Sequence, residues 1–271
     1  MSKQFLINGS VSKKISPYDR ALQFGDGIFR TFVVKNKKPQ HWAYHYKKIV
    51  ADCRAIKIEP PSEITLLSDI FRVFKTKPKA VGKFIITRGE SERGYGFKSN
   101  ITPNRFLIKT KMPSYPKANS ESGVCLYVCK LKLQPSFLSG IKHLNRIENV
   151  MARSEWQDTR YADGILLNDQ GHVIECVSSN LFMRKGQTIY THPLKNIGVK
   201  GVTRDLILKL LPQLGFKIKE ISFDLNKLLT ADEVFITNSL FGVWQVKKIK
   251  NRSWQHQELA TILRESLEAL H

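Results

Sequence analysis

The chain has 271 residues, of which 42% are hydrophobic and 10% aromatic, so it can form a packed core and is not a disordered chain. Lysine and arginine total 44 against 23 acidic residues, which gives a formal net charge of +21. No apolar run approaches the roughly 18 residues that cross a bilayer, and four cysteines without Cys-x-x-Cys spacing do not form a disulfide framework. We expect a cytoplasmic, globular protein of one or two domains with no membrane partner.

Hydrophobic periodicity predicts the elements of the first part of the chain. They are, in order, strands at 5–8 and 28–34, helices at 43–56 and 63–74, and strands at 83–87 and 105–109. The stretch 113–123 follows, rich in Pro, Ser, Asn and Gly and without apolar periodicity, so we expect a linker there.

The second part of the chain mixes strands and helices in the same way. The predicted strands lie at 124–130, 164–167, 173–176, 181–183, 217–221, 233–237 and 243–246, and the predicted helices at 145–157, 202–211 and 257–270. The fold class is therefore α+β. We predict an N-terminal domain at 1–112, a linker at 113–123 and a C-terminal domain at 124–271.

The positive charge is concentrated in the N-terminal part. Its first 112 residues contain 23 basic and 8 acidic residues, a net charge of +15. Such a charge is typical of a nucleic-acid-binding protein, of an enzyme with an anionic substrate, or of a solvated basic surface. Residues 93–97 (Arg-Gly-Tyr-Gly-Phe) match the start of an RNA-recognition signature, but the continuation lacks its Val and aromatic residue. We interpret this match as coincidental and expect no nucleic-acid partner.

Two further patterns have structural explanations. The segment Gly25-Asp26-Gly27 lacks the third glycine and the following helix of a dinucleotide site, so we expect a turn in which Asp26 accepts local backbone N–H groups. His41 and His45 have the i, i+4 spacing of metal ligands, but no glutamate lies beside them and no third ligand is near. We expect no metal site.

Three segments contain residues that could serve in catalysis or in binding a charged ligand. Lys142 precedes a predicted helix, where a lysine is usually solvated. Glu175 lies within an apolar strand, so it either faces solvent at a sheet edge or has a cationic partner. The segment Gly201-Val202-Thr203 opens a helix and is typical of a phosphate site, although Thr203 also suits an ordinary N-cap.

Taken together, these segments resemble the fold-type IV pyridoxal-phosphate enzymes, which include branched-chain and D-amino acid aminotransferases and the aminodeoxychorismate lyases. The similarity covers nearly the whole chain in order, through the segments 19–27, 87–89, 93–95, 140–146, 175–182, 198–204 and 231–238. Within the group, segments 140–146 and 88–95 are most similar to the lyases. The resemblance implies two domains per chain, with a smaller N-terminal α/β domain and a larger C-terminal domain that has a β-barrel-like core.

The resemblance also implies a role for each candidate residue. Lys142 carries the pyridoxal 5'-phosphate cofactor covalently and serves as the catalytic acid and base. Glu175 pairs with the protonated pyridine nitrogen, which supplies the cationic partner that a buried carboxylate needs. The implied phosphate contacts are Gly201, Val202, Thr203, Thr237 and Asn238.

Lys48 marks a departure from the family pattern. The family usually places an arginine on the phosphate in a His-x-x-Arg-Leu segment, which here is His45-Tyr46-Lys47-Lys48-Ile49. Lysine keeps the charge but loses the paired donors of arginine, so we expect a weaker phosphate contact from Lys48.

The lyase resemblance implies conversion of 4-amino-4-deoxychorismate to 4-aminobenzoate and pyruvate in folate biosynthesis, by a homodimer. The implied candidates for contact with the substrate are Arg93, Tyr95, Arg105 and Asn238. A D-amino acid or branched-chain aminotransferase is the alternative within the family, and an RNA-binding protein is a distant one.

Overall fold

The computed structural model describes residues 4–12, 14–76 and 78–270, and their contacts divide into two compact units. The first unit contains the chain up to Pro113 together with Ile141–Asn145, and the second contains Ser114–Gly140 and the chain from Arg146 onward. The domain limits at 113–123 stay a prediction. One detail differs from it: Ile141–Asn145, expected within 124–271, makes its contacts in the first unit because it pairs with a strand there.

The described residues of the first unit form an antiparallel five-stranded sheet with three helices. Its elements are β1 (Gln4–Ile7), α1 (Arg20–Phe24), β2 (Gly27–Lys35), β3 (Lys38–Pro39), α2 (Trp42–Ala55), α3 (Glu63–Val73), β4 (Ala80–Thr87) and β5 (Asn104–Lys111). The strand order is β1-β5-β4-β2-β3. Phe32 on β2 and Phe84 on β4 are fully buried, and a Cβ on Gly82 would lie 2.5 Å from the Phe32 ring, so glycine there makes room for the aromatic core.

The second unit is a larger mixed sheet with five helices among its described residues. Its elements are α4 (Ala118–Glu121), β6 (Val124–Leu133), α5 (Ile147–Ser154), β7 (Tyr161–Asn168), β8 (Val173–Cys176), β9 (Asn180–Lys185), β10 (Thr188–Thr191), α6 (Val202–Gln213), β11 (Lys217–Glu220), α7 (Leu225–Leu229), β12 (Glu233–Asn238), β13 (Gly242–Ile249), β14 (Arg252–Ser253) and α8 (Leu259–Ala269).

The sheet of the second unit curls around its own core. The strand order is β11-β10-β9-β12-β13-β6-β7-β8, with β14 beside β13. Val173 on the end strand β8 nevertheless shares one buried cluster with Leu181 on β9, Val234 on β12 and Val246 on β13. Strands so far apart in the order share a core only when the sheet curls, which is the expected barrel-like arrangement. Helices α6 and α8 pack against β12, β13 and each other.

The α+β fold class is confirmed, and the predicted strands and helices correspond to observed ones. The shifts are local: the helix expected at 145–157 spans only Ile147–Ser154, and the expected linker contains the short helix α4. Six short elements have no predicted counterpart, namely α1, β3, α4, β10, α7 and β14. Across residues 4–12, 14–76 and 78–270, no helix has the length and hydropathy needed to cross a membrane.

Phe182 and Phe235 are cross-strand partners whose rings stack in the second unit. Their centroids lie 5.0 Å apart with planes at 7°, and both side chains are fully buried. We expect Phe182→Ala to lower the free energy of unfolding by about 3–5 kcal/mol, because it leaves a cavity and removes the stacked partner. Urea denaturation measures this loss. The matched control is Phe137→Ala, since Phe137 is 91% exposed; equal losses in the two variants would contradict the packing assigned to Phe182.

Candidate active site

Lys142 lies on an extended segment that is hydrogen-bonded to β2. Its carbonyl oxygen accepts the N–H of Phe29 at 2.9 Å, and the N–H of Leu144 donates to the carbonyl of Gly27, also at 2.9 Å. The segment Ile141–Asn145 therefore occupies the edge of β2 opposite β4. Main-chain bonds thus set the position of Lys142, whatever its side chain.

The aromatic ring of Phe29 lies beside two lysines. The ring centroid is 4.8 Å from Nζ of Lys142 and 4.7 Å from Nζ of Lys83 on β4. Burial lowers the pKa of Lys83 below its usual value. The sequence pattern singles out neither Phe29 nor Lys83, because only the pairing of β2 with both β4 and the Lys142 segment brings them together.

Asp52 on α2 contacts the backbone of Lys142. Its Oδ2 accepts the Lys142 N–H at 3.2 Å and forms an ion pair with Nη2 of Arg30 on β2. Both charged side chains are almost fully buried. Asp52 looks unremarkable in sequence because it lies beside apolar residues of a helix, and no local pattern shows that it faces inward.

Glu175 on β8 is buried, with 4% of its surface exposed. Its Oε2 accepts the backbone N–H of Val199 at 3.0 Å and Nδ2 of Asn180 at 3.1 Å. Gly198 has a φ of +80°, and a Cβ there would lie 2.7 Å from Leu194 and 3.3 Å from Glu175 Cδ, so this position beside the carboxylate requires glycine. Although β8 ends the sheet, the segment that includes Val199 covers Glu175, and the alternative of a solvent-facing edge position is wrong.

Asn180, at the start of β9, connects Glu175 with the start of α6. Its Nδ2 donates to Glu175 and to the carbonyl of Val199 at 2.9 Å, and its Oδ1 accepts the N–H of Gly201 at 3.1 Å. A Cβ on Gly201 would lie 2.5 Å from that Oδ1. Position 201 therefore requires glycine because the Asn180 side chain approaches its backbone closely. Asn180 lies in the family-like segment 175–182, but nothing in that segment distinguishes it before the fold is known.

The N-terminus of α6 and the end of β12 form what we call the α6 anion site, made of Gly201, Val202, Thr203 and Thr237. Gly201 is the N-cap of α6 and has no side chain to occupy the N–H groups of the first turn. Thr203 Oγ1 lies 3.5 Å from Ser239 Oγ. Thr237 is 1% exposed, and its Oγ1 has no hydrogen-bond partner among the described residues. Helix N–H groups and an unsatisfied buried hydroxyl suit an anion such as phosphate.

Asn238 follows Thr237, but its side chain organises a turn. Its Oδ1 accepts the N–H groups of Leu240 at 2.9 Å and Phe241 at 3.1 Å, and its Nδ2 donates to the carbonyl of Ser178 at 3.3 Å. The predicted cofactor and substrate contacts of Asn238 stay predictions. Because its side chain is already hydrogen-bonded, these bonds favour a cofactor contact from the Asn238 backbone over one from its side chain.

Asp163 organises the segment that follows Glu175, although no motif singles it out. Its carboxylate accepts the hydroxyls of Ser178 at 2.8 Å and Ser179 at 2.7 Å and the backbone N–H of Gly164 at 2.8 Å. Burial raises its pKa above the usual value, and these hydrogen bonds act in the opposite direction. Asp163 therefore fixes the turn between Glu175 and Asn180.

Lys48 is half-buried on α2 in the first unit, and its predicted phosphate contact stays a prediction. One turn away, His45 is buried, and desolvation with the charge of Arg30 lowers its pKa to about 3. His41 precedes α2 in a left-handed conformation, so the two histidines do not share the expected helix face. Across the part of the chain that the structure describes, no group of three His, Cys, Asp or Glu side chains could hold a metal.

The loop containing Arg93 and Tyr95 joins β4 to β5, so residues 93–97 do not form the strand that an RNA-recognition motif requires. Buried Arg20 holds this loop by donating to the carbonyls of residues 94, 95 and 96 at 2.9–3.2 Å. The Tyr95 side chain is 84% exposed. Its ring and that of Phe24 have centroids 5.3 Å apart.

Arg105, a candidate substrate contact, and Arg88, from the family-like segment 87–89, both form ion pairs. Arg105 donates from Nε to Asp69 at 2.7 Å, so one face of its guanidinium is occupied. Arg88 donates to both oxygens of Asp26 at 2.7 and 2.9 Å. Burial raises the pKa of Asp26, but the bonds and charges of Arg88 and Arg20 outweigh it, so that pKa is lowered. The expectation that Asp26 accepts local backbone N–H groups is wrong, because two arginines take its oxygens.

Comparison with known proteins identifies the family of the chain. The family model described as amino-transferase class IV matches residues 27–249. An aminodeoxychorismate lyase from Vibrio harveyi is 36% identical over 90% of this chain and 91% of its own length. A D-alanine aminotransferase from Bacillus licheniformis is 28% identical over 92% of this chain and 89% of its own length.

A solved structure gives the same result. The crystal structure of 4-amino-4-deoxychorismate lyase from Pseudomonas aeruginosa superposes with a TM-score of 0.92 at 33% identity and covers 98% of both chains. The resemblance seen in the sequence is confirmed, and with it the pyridoxal 5'-phosphate cofactor. The chain belongs to the class IV aminotransferase family, the fold-type IV pyridoxal-phosphate enzymes.

Proposed function

We propose that the chain is a pyridoxal-phosphate-dependent lyase that converts 4-amino-4-deoxychorismate to 4-aminobenzoate and pyruvate, a step of folate biosynthesis. The observation that carries the proposal is the placement of Lys142 beside β2, with its ammonium next to the Phe29 ring. The lyases from Vibrio harveyi and Pseudomonas aeruginosa favour this reaction, because they are 36% and 33% identical over most of the chain.

The residues present fit the cofactor. The α6 anion site offers helix N–H groups and the unsatisfied hydroxyl of Thr237 to the phosphate. Glu175 offers a buried carboxylate, held by Asn180 and Val199, to the pyridine nitrogen. When bound, the protonated pyridine ring of the cofactor accepts the electron pair released at the substrate carbon.

Lys142 performs the proton transfers in this proposal. Its Nζ would hold the cofactor and, when released from it, would take the proton from the amine-bearing carbon of the substrate. The bond between the ring carbon and the ether oxygen of the enolpyruvyl group then breaks, and the ring becomes aromatic. The released enol takes a proton to give pyruvate. Because aromatisation favours the products, the residues of the chain mainly have to orient the substrate and place Lys142.

The substrate carries two carboxylates, which suits the positive charge of the first 112 residues. Arg93, Tyr95, Arg105 and Asn238 remain our candidates for substrate contacts. The arrangement of their side chains differs: Arg93 and Tyr95 lie on the loop held by Arg20, whereas Arg105 is already paired with Asp69.

An aminotransferase is the second candidate, favoured by the 28% identity to the Bacillus licheniformis D-alanine aminotransferase. It would use Lys142 and Glu175 in the same roles but release a keto acid and retain the amino group. Assays with 4-amino-4-deoxychorismate and with D-alanine plus 2-oxoglutarate separate the two. Fluorescent 4-aminobenzoate from the first mixture supports the lyase.

We also propose that the enzyme is a cytoplasmic homodimer. Helix α5 supports self-association because Ile147, Val150 and Met151 are exposed on it at i, i+3 and i+4. All four cysteines are free thiols, and three of them are buried, which agrees with a reducing compartment.

We expect Lys142→Ala to abolish covalent cofactor attachment and to lower lyase activity by on the order of 10³-fold or more. Main-chain bonds hold the segment, so the variant should fold normally. Borohydride reduction followed by peptide mass spectrometry identifies the attached lysine, and 4-aminobenzoate fluorescence measures turnover. The control Lys130→Ala alters an exposed lysine of β6 and should keep both properties. Labelling of another lysine in the wild-type enzyme would refute the assignment.

We expect Glu175→Gln to lower kcat by about 100-fold while the cofactor still binds, because a neutral amide no longer stabilises the protonated ring nitrogen. The visible absorption of the bound cofactor and the turnover rate are measured together. The matched control is Glu233→Gln, which removes the charge of another buried carboxylate, paired with Arg184. Unchanged kcat in Glu175→Gln would leave Glu175 with a structural role alone.

The α6 anion site predicts the cofactor affinity of a third variant. Thr237→Val keeps the shape but removes the hydroxyl, so we expect the Kd for pyridoxal 5'-phosphate to rise about tenfold. Thr191→Val is the control, because the buried Thr191 hydroxyl donates to the carbonyl of Leu181 at 2.8 Å. Lys48→Ala, titrated in parallel, should also raise Kd. Lys48→Arg should bind the cofactor as tightly as the wild-type enzyme or more tightly, because a guanidinium offers paired donors. A Kd for Thr237→Val equal to that of Thr191→Val would contradict the site.

A further inference from the structure

We propose that the buried Arg30–Asp52 ion pair positions the backbone of Lys142 for the reaction. Neither residue belongs to the motifs that identify the family. The inference rests on the proposed function for its kinetic consequence, whereas its structural part concerns only the hydrogen bond between Asp52 and the Lys142 N–H.

One carboxylate oxygen carries both interactions. Asp52 Oδ2 pairs with Arg30 Nη2 and accepts the N–H of Lys142 at 3.2 Å. The exposed fractions of the Arg30 and Asp52 side chains are 2% and 6%. A substitution of Arg30 or Asp52 therefore alters the hydrogen bond of the Lys142 N–H, because both interactions use Asp52 Oδ2.

The bond to Asp52 differs from the other anchors of the segment. The carbonyl of Lys142, the N–H of Leu144 and the side chain of Asn145 bond to β2 and to the turn before it. Asp52 lies on α2, so its bond ties Lys142 to a second element. Lys142 is therefore held by two elements, by β2 through its carbonyl and by α2 through its N–H.

The charge of Arg30 is what allows Asp52 to do this. A cation beside a buried carboxylate offsets much of its desolvation cost, and a charged hydrogen-bonded pair is stronger than a neutral one. His45, the nearby titratable group on α2, is neutral at physiological pH because its pKa is about 3. Arg30 therefore supplies the balancing charge. An apolar pair would fill the same space without the desolvation cost of two ions but would leave the Lys142 N–H without this acceptor.

The test compares two variants with the wild-type enzyme loaded with pyridoxal 5'-phosphate. Arg30→Met/Asp52→Leu removes both charges and the acceptor, while Asp52→Asn keeps an acceptor oxygen but loses the charge. The control is Glu233→Gln, in which a buried carboxylate paired with an arginine changes in the other unit. Hydrogen–deuterium exchange of the Lys142 amide and the kcat and KM for 4-aminobenzoate formation are measured for each protein.

We expect the double variant to exchange the Lys142 amide about tenfold faster and to lose roughly tenfold in kcat with little change in KM. Asp52→Asn should show a smaller change of both kinds, and Glu233→Gln should match wild type in exchange at Lys142. Unchanged exchange at Lys142 or unchanged kcat in the double variant overturns the proposal. If the double variant does not fold, Asp52→Asn decides it: wild-type exchange and kcat overturn it, and faster exchange with lower kcat supports it.

Failure of the proposed function gives a different result. If the wild-type enzyme forms no 4-aminobenzoate, the lyase assignment fails. Exchange at the Lys142 amide still reports whether Asp52 holds that peptide unit.

Discussion

The hydrogen bonding of Ile141–Asn145 along β2 is the constraint on which the placement of Lys142 in the first unit depends. It is made by main-chain atoms, so it holds Lys142 in place without using the side chain that has to react. The same pairing puts the Phe29 ring beside the Lys142 ammonium, since residues bonded across a strand edge carry neighbouring side chains. Asp52 adds the one charged bond from α2 described above.

In the second unit the candidate site residues are held by side-chain hydrogen bonds, whereas in the first unit Lys142 is held mainly by backbone hydrogen bonds. Glu175, Asn180 and Gly201 form a connected series of hydrogen bonds from β8 to the start of α6. A displacement at Asn180 therefore alters both the carboxylate and the helix N–H groups that suit a phosphate. Asp163 supports the series by fixing the turn between its first two members. The Glu175 carboxylate and the start of α6 are thus linked through one asparagine.

The sequence predicts the strands and long helices because burial repeats at the periods of these elements, and β8 at Val173–Cys176 is predicted to the residue. It does not predict the place of Ile141–Asn145, because pairing with β2 joins residues more than a hundred positions apart. The same limit hides Asp52 and Asp163, whose partners are distant in sequence. The family-like segments point to Lys142 and Glu175, whereas periodicity alone predicts a solvated lysine at 142 and allows an edge position for Glu175.

The way in which the basic residues of the first unit are paired limits the ligands that its positive charge can recognise. Four arginines of the first unit, Arg20, Arg30, Arg88 and Arg105, pair with aspartates. These guanidinium groups are not available to read base edges as paired donors. Lysines make up 16 of the 23 basic residues in the first 112 positions. Lysine is a compact point charge, so this excess attracts small anions over a distance without selecting a sequence, which suits a dicarboxylate substrate better than RNA.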